Sequence, residues 1–70
     1  MIPLALAPAG EKQTIRKISG NDKLRQRLLE LGLVTGATVT VVSSENNNVI
    51  LAVGESRVAI GADLARRIMV

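Results

Sequence analysis

Only one stretch of this chain carries a helical repeat, and it is too short to enclose a core by itself. In LRQRLLELGLVTG, residues 24–36, Leu24, Leu28 and Leu31 stand at i, i+4 and i+7, one stripe of a helical wheel. The residues are strong helix formers, Asp22 is a suitable N-cap, and Gly32 can take the left-handed position that ends a helix. Leu33 would then fold back onto Leu28, the apolar contact of a Schellman end. The predicted helix, about 22–31, is on the order of 15 Å long, too short to cross a bilayer. Burial of each stripe leucine is worth roughly 1.5–3 kcal/mol, enough to dock the helix as the lid of something else. The rest of the chain has to supply that something.

It reads as β structure. In ATVTVVS (37–43) Val39 and Val41 face one way, and Thr38, Thr40 and Val42 the other. ENNN (45–48) is a turn, because asparagine tolerates left-handed backbone. VILAV (49–53) suits a central strand, and GE (54–55) can form a tight primed turn into SRVAI (56–60). Upstream, QTIRKI (13–18) has strand composition, yet Ile15 and Ile18 are three apart and cannot share a face of a regular strand. A bulge or an end of pairing is expected between them. Residues 1–12 read as an extended lead-in, with Pro3 and Pro8 opposing helix and both Leu4 and Leu6 available to the core. GADLA offers Gly61 or Asp63 to start one helical turn, and RRIMV closes as a short strand with Ile68 and Val70 on one face. The expectation is a mainly β, five-stranded small barrel with one inserted α-helix and a helical turn before the last strand.

Three absences bound the chemistry. Without cysteine there is no disulfide or thiolate metal site, and a cytoplasmic setting fits. Lack of histidine removes the commonest transition-metal ligand and proton shuttle. No Phe, Tyr or Trp occurs, so neither proline-rich peptides nor stacked bases can be gripped in the usual way, and the core must be aliphatic. Six scattered carboxylates show no acid/base or metal-loop spacing. No catalytic, cofactor-binding or metal-ligating residue is therefore assigned, and an enzyme is not expected. The opening MIPLALAPAG lacks a basic region and a long apolar run, and reads as mature chain. One domain, residues 1–70, is expected.

The order of pieces also matches a known pattern. The lead-in APAG, the I-x-x-I strand, RQRLLELGLVTGATVTVV and SRVAIGADLARRIMV together resemble the FeoA family across essentially the whole chain. The most specific stretch is Arg27 to Leu33 followed by Gly36, and the closing Ile60, Ala65 and Ile68-Met69-Val70 also match. The middle turn, SSENNN, departs from relatives that carry proline or glycine there. The resemblance implies an SH3-like barrel with a helix inserted after the first strand. It also implies a small cytoplasmic partner of the bacterial ferrous iron permease FeoB, bearing on the permease's GTPase. FeoA-like domains attached to metal-dependent repressors look alike, and the absence of a winged-helix half in this sequence favours the stand-alone form.

Function then has to come from a surface. Leu29 lies about 100° from Leu28 on the wheel, with Arg25 one turn earlier on the same flank. It either widens the buried face or is left for a partner. Lys23, Arg25 and Arg27 crowd the N-terminal half of the helix, whose dipole end prefers negative charge. That crowding fits a solvated face or an acidic partner. The candidate partner-binding residues are Arg25, Arg27 and Leu29, with Arg57 on the last hairpin as a basic neighbour. The formal charge of +3 is mild, so steering toward an acidic surface is expected and nucleic-acid binding is not. Alternatives are a repressor-related nucleic-acid role and direct iron(II) binding through dispersed oxygen ligands. Homo-oligomers are not forbidden.

Overall fold

The computed structural model describes residues 1–70. Its strands are β1 (Lys12–Thr14), β2 (Lys17–Ile18), β3 (Thr38–Glu45), β4 (Asn48–Val53), β5 (Ser56–Gly61) and β6 (Ile68–Met69); the helices are α1 (Asp22–Glu30) and α2 (Ala62–Ala65). The valine alternation of 39–42 drives the long β3, with Val39 and Val41 buried. β3, β4 and β5 form an antiparallel meander, extended on the far side of β3 by β1. Asn46 and Asn47 both take positive φ, 50° and 66°, at the tip of the first hairpin, as two asparagines in a primed turn should.

Six strand segments replace the expected five because the first strand changes partner midway. β1 pairs with β3, then Ile15 N–H donates to the Ala37 carbonyl and Arg16 N–H to the Met69 carbonyl, and β2 continues antiparallel to β6. This handover answers the three-residue spacing of Ile15 and Ile18. Ile15 lies at the handover between the two ladders and Ile18 at the end of β2, and both are buried. The result is a four-stranded and a two-stranded sheet sharing one bent segment, the SH3-like arrangement, with no backbone ladder joining β5 to β1. α2 packs against β4 and β5 and against a 3-10 turn at Leu4–Leu6. The chain ends are tied as well: Ile2 N–H donates to the Val70 carbonyl and Val70 N–H to that of Ile2.

The core is wholly aliphatic. Thirteen residues are buried, every one hydrophobic, and no buried side-chain nitrogen or oxygen lacks a partner. Leu28 is fully buried, with Leu24 and Leu31 half-buried beside it, so the helical stripe packs onto the barrel as its spacing required. The helix ends as anticipated. Gly32, at φ 82°, donates to the Leu29 carbonyl and Leu33 donates to that of Leu28, the two bonds of a Schellman motif. Leu33 is thereby carried into the core.

Two local expectations need correction. Asn21, not Asp22, caps α1. Its backbone is extended and its side chain accepts from Leu24 N–H at 2.9 Å, because the turn at Gly20 delivers the chain one residue earlier than composition alone indicates. Asp22 becomes the first helical residue, where its charge still complements the dipole. The lead-in is not extended throughout, since Leu4–Leu6 form a 3-10 turn after Pro3. At three residues per turn, Leu4 and Leu6 point in different directions; Leu4 is fully buried and Leu6 is 73% exposed.

Candidate functional site

Burying Leu28 fixes the rotation of α1 and so decides what its remaining residues can meet. With 100° between successive residues, Arg25 and Leu29 fall on one shoulder of the buried stripe, Lys23 and Arg27 on the other. The sequence-level grouping of Arg25, Arg27 and Leu29 therefore separates into two surfaces.

On the first shoulder, Leu29 is 53% exposed, so it does not widen the buried face. It borders a shallow depression of about 230 Å³ with Ile18, Leu33, Val34 and Thr35, and Arg25 at the rim. Arg25 is less free than its place on the wheel indicates. Its Nη2 donates to the Ile18 carbonyl at 2.8 Å, pinning the helix to the end of β2. A hydrogen bond with one charged member contributes roughly 1.5–3 kcal/mol where it is sheltered, and on this exposed residue about 1 kcal/mol. Reversing the charge of Arg25 therefore costs fold stability as well as any partner contact.

The second shoulder is basic. Lys23 and Arg27 line an open depression of about 440 Å³ with Arg67, Leu24, Gly20 and Asn21. None of these three cations has a carboxylate within ion-pairing distance; the single salt bridge joins Arg66 to Asp63. Arg67 arrives there through the β2–β6 pairing, since Ser19 N–H donates to its carbonyl at 2.8 Å. Nothing local to residues 66–67 signals that neighbourhood. The Lys23–Arg27 spacing of one turn was legible.

Arg57 lies exposed on β5, across from Ala52 of β4, and lines neither depression. A third depression, about 330 Å³, lies at the tip of the β3–β4 hairpin with Asn46, Asn47 and Ala62 on its walls. No three His, Cys, Asp or Glu side chains gather closely enough to hold a metal ion. No helix is long and apolar enough to cross a membrane.

Comparison with known proteins adds to this geometry. The FeoA domain matches residues 2–70. The chain belongs to the FeoA family. Its relatives include a protein of Methanocaldococcus jannaschii named as an Fe(2+) transport protein A, 39% identical over 70 residues, all of this chain and 85% of that one. The crystal structure of an iron uptake regulatory protein, also a FeoA, superposes with a TM-score of 0.89 at 40% identity, covering 97% of this chain and 90% of the other. The solution structure of FeoA from Chlorobium tepidum gives 0.87 at 21% identity over 97% of this chain and 67% of that one. A manganese-dependent transcriptional repressor shares the fold at 0.84 and 17% identity, over 94% of this chain but 38% of the repressor. The FeoA assignment places the chain in Fe(2+) transport, with an SH3-like fold.

Proposed function

We propose that residues 1–70 act as a single FeoA domain, a non-catalytic cytoplasmic accessory of ferrous iron uptake that binds the FeoB permease and modulates its GTPase. The observation that carries this reading is Leu29, a large apolar side chain held 53% exposed on a helix whose rotation the core fixes. Scattered exposed leucines are ordinary. This one has company: half-buried Val34 lines the same depression, with the buried Leu33 and Ile18 beneath and Thr35 and Arg25 alongside. A small apolar centre with a polar, positively charged edge is the composition of a transient protein interface. Family membership in Fe(2+) transport supports the permease as the partner. Arg27 and Arg57 act in this proposal as outlying charges that speed encounter with an acidic surface and add little to the bound state.

The test is calorimetry or a pull-down with the soluble cytoplasmic region of FeoB. Leu29→Asp weakens association at least about tenfold, or 1.4 kcal/mol, while the folded state is unchanged by circular dichroism. Undiminished binding of that variant would remove the interface from this shoulder.

A further inference from the structure

The basic shoulder of α1 lies outside the contact just described. Lys23 and Arg27 are one helical turn apart, about 6 Å along the axis, a like-charge pair that by itself destabilises the helix slightly. Lys23 also stands in the first turn, where the dipole disfavours a cation. Arg67, brought alongside by the tied backbones of Ser19 and Arg67, adds a third positive charge to the same concavity. All three lack an ion-pair partner. The free protein thus holds three repelling cations around one depression of about 440 Å³.

From this we infer that the groove between the N-terminal half of α1 and the Arg66–Arg67 segment is a docking site for an acidic polypeptide segment. Charge complementarity selects that occupant, three unpaired cations standing beside one apolar side chain. A phosphate-binding site gathers its donors, backbone N–H groups above all, around a single point. Here the three cationic side chains border an open depression, and Asn21 already consumes Leu24 N–H at the head of the helix. Leu24 is the one apolar side chain on the depression: it is half-buried, and Gly20 lies so close that a Cβ on it would fall 2.5 Å from Leu24 Cδ2. An extended chain bearing two or three carboxylates can lay its backbone over Gly20 and Leu24 and send acids to Lys23, Arg27 and Arg67. The inference does not depend on which protein supplies the segment, nor on the Leu29 contact.

The experiment is an NMR titration of the ¹⁵N-labelled chain with a hexaglutamate peptide at low salt. The expected result is saturable shifts centred on Gly20, Asn21, Lys23, Leu24 and Arg67, lost as salt is raised. Lys23→Glu and Arg67→Glu should each weaken binding by about fivefold, the upper range for one exposed ion pair. Arg57→Glu, an equal charge change elsewhere, and Leu29→Asp should leave it within about twofold. Should Arg57→Glu weaken the peptide as much as Arg67→Glu, the response is to net charge and the site is refuted. Tripolyphosphate or phosphatidylglycerol vesicles that produce the same shifts at lower concentration of charged groups than the peptide does would overturn the choice of occupant. Loss of FeoB binding in Leu29→Asp with hexaglutamate binding intact separates this site from the first; loss of both in a folded variant contradicts the separation.

Discussion

The two shoulders of α1 are built from the same few turns of helix, yet they differ in how they are held. One is anchored, because Arg25 reaches the Ile18 carbonyl and Leu29 sits above side chains that continue into the core. Its shape is set before any partner arrives. The other is unanchored: Lys23, Arg27 and Arg67 make no ion pairs around an open depression. An anchored apolar edge favours a rigid contact governed by dissociation rate, and an unneutralised basic trough favours steering and salt sensitivity. A short helix can offer both because its buried stripe is narrow, with Leu28 alone fully enclosed.

The comparison breaks most severely if the stripe is cut. Leu28→Ala should lower stability by about 2–5 kcal/mol, since a fully buried side chain leaves a cavity. Both shoulders would loosen together, which chemical denaturation and amide exchange would register. Next in size is the anchor. Arg25→Met keeps the aliphatic stem but deletes the bond to Ile18, with an expected loss of about 1 kcal/mol in urea unfolding. A value near zero would make the first shoulder no more fixed than the second. Asn21→Ala removes the cap and should cost about 1 kcal/mol or somewhat less, loosening the head of the basic trough specifically. The smallest effect has the opposite sign. Lys23→Glu should stabilise the free chain by a few tenths of a kcal/mol, because it turns the like-charge pair with Arg27 into an attractive i, i+4 pair and favours the dipole. A measurable loss of stability there would mean that Lys23 already has a compensating partner.

How much of this the sequence disclosed follows from the range of the interactions involved. The helix, its Schellman end and the three-stranded meander rest on spacings within a few residues, and the alternation 37–43 and the stripe 24–31 declared them. The resemblance in Arg27–Leu33 and the closing IMV carried the architecture and the family. Caps and turns were legible to within one residue: Asp22 is as good a cap as Asn21 in isolation, and only the bend at Gly20 chooses between them. Leu6 went astray because a 3-10 turn has the wrong period for an extended segment. β3 carries an irregularity between Val41 and Ser43 that alternation cannot announce, since it depends on the partner strand. The candidate site was read least completely. Leu29 and Arg25 came from the wheel, but the Arg25 bond spans seven residues and the Arg67 approach requires β2 and β6 to pair across most of the chain. Arg57, chosen as a basic neighbour, stays on β5 and joins neither depression.

Resonance mapping of the labelled chain against the soluble cytoplasmic region of FeoB examines the leading proposal most directly. Broadening or shifts concentrated at Arg25, Leu29, Val34 and Thr35, abolished by Leu29→Asp, are the predicted result. Shifts confined to the Asn46–Asn47 hairpin tip, or none at millimolar partner, would contradict the assignment of this shoulder as the working surface.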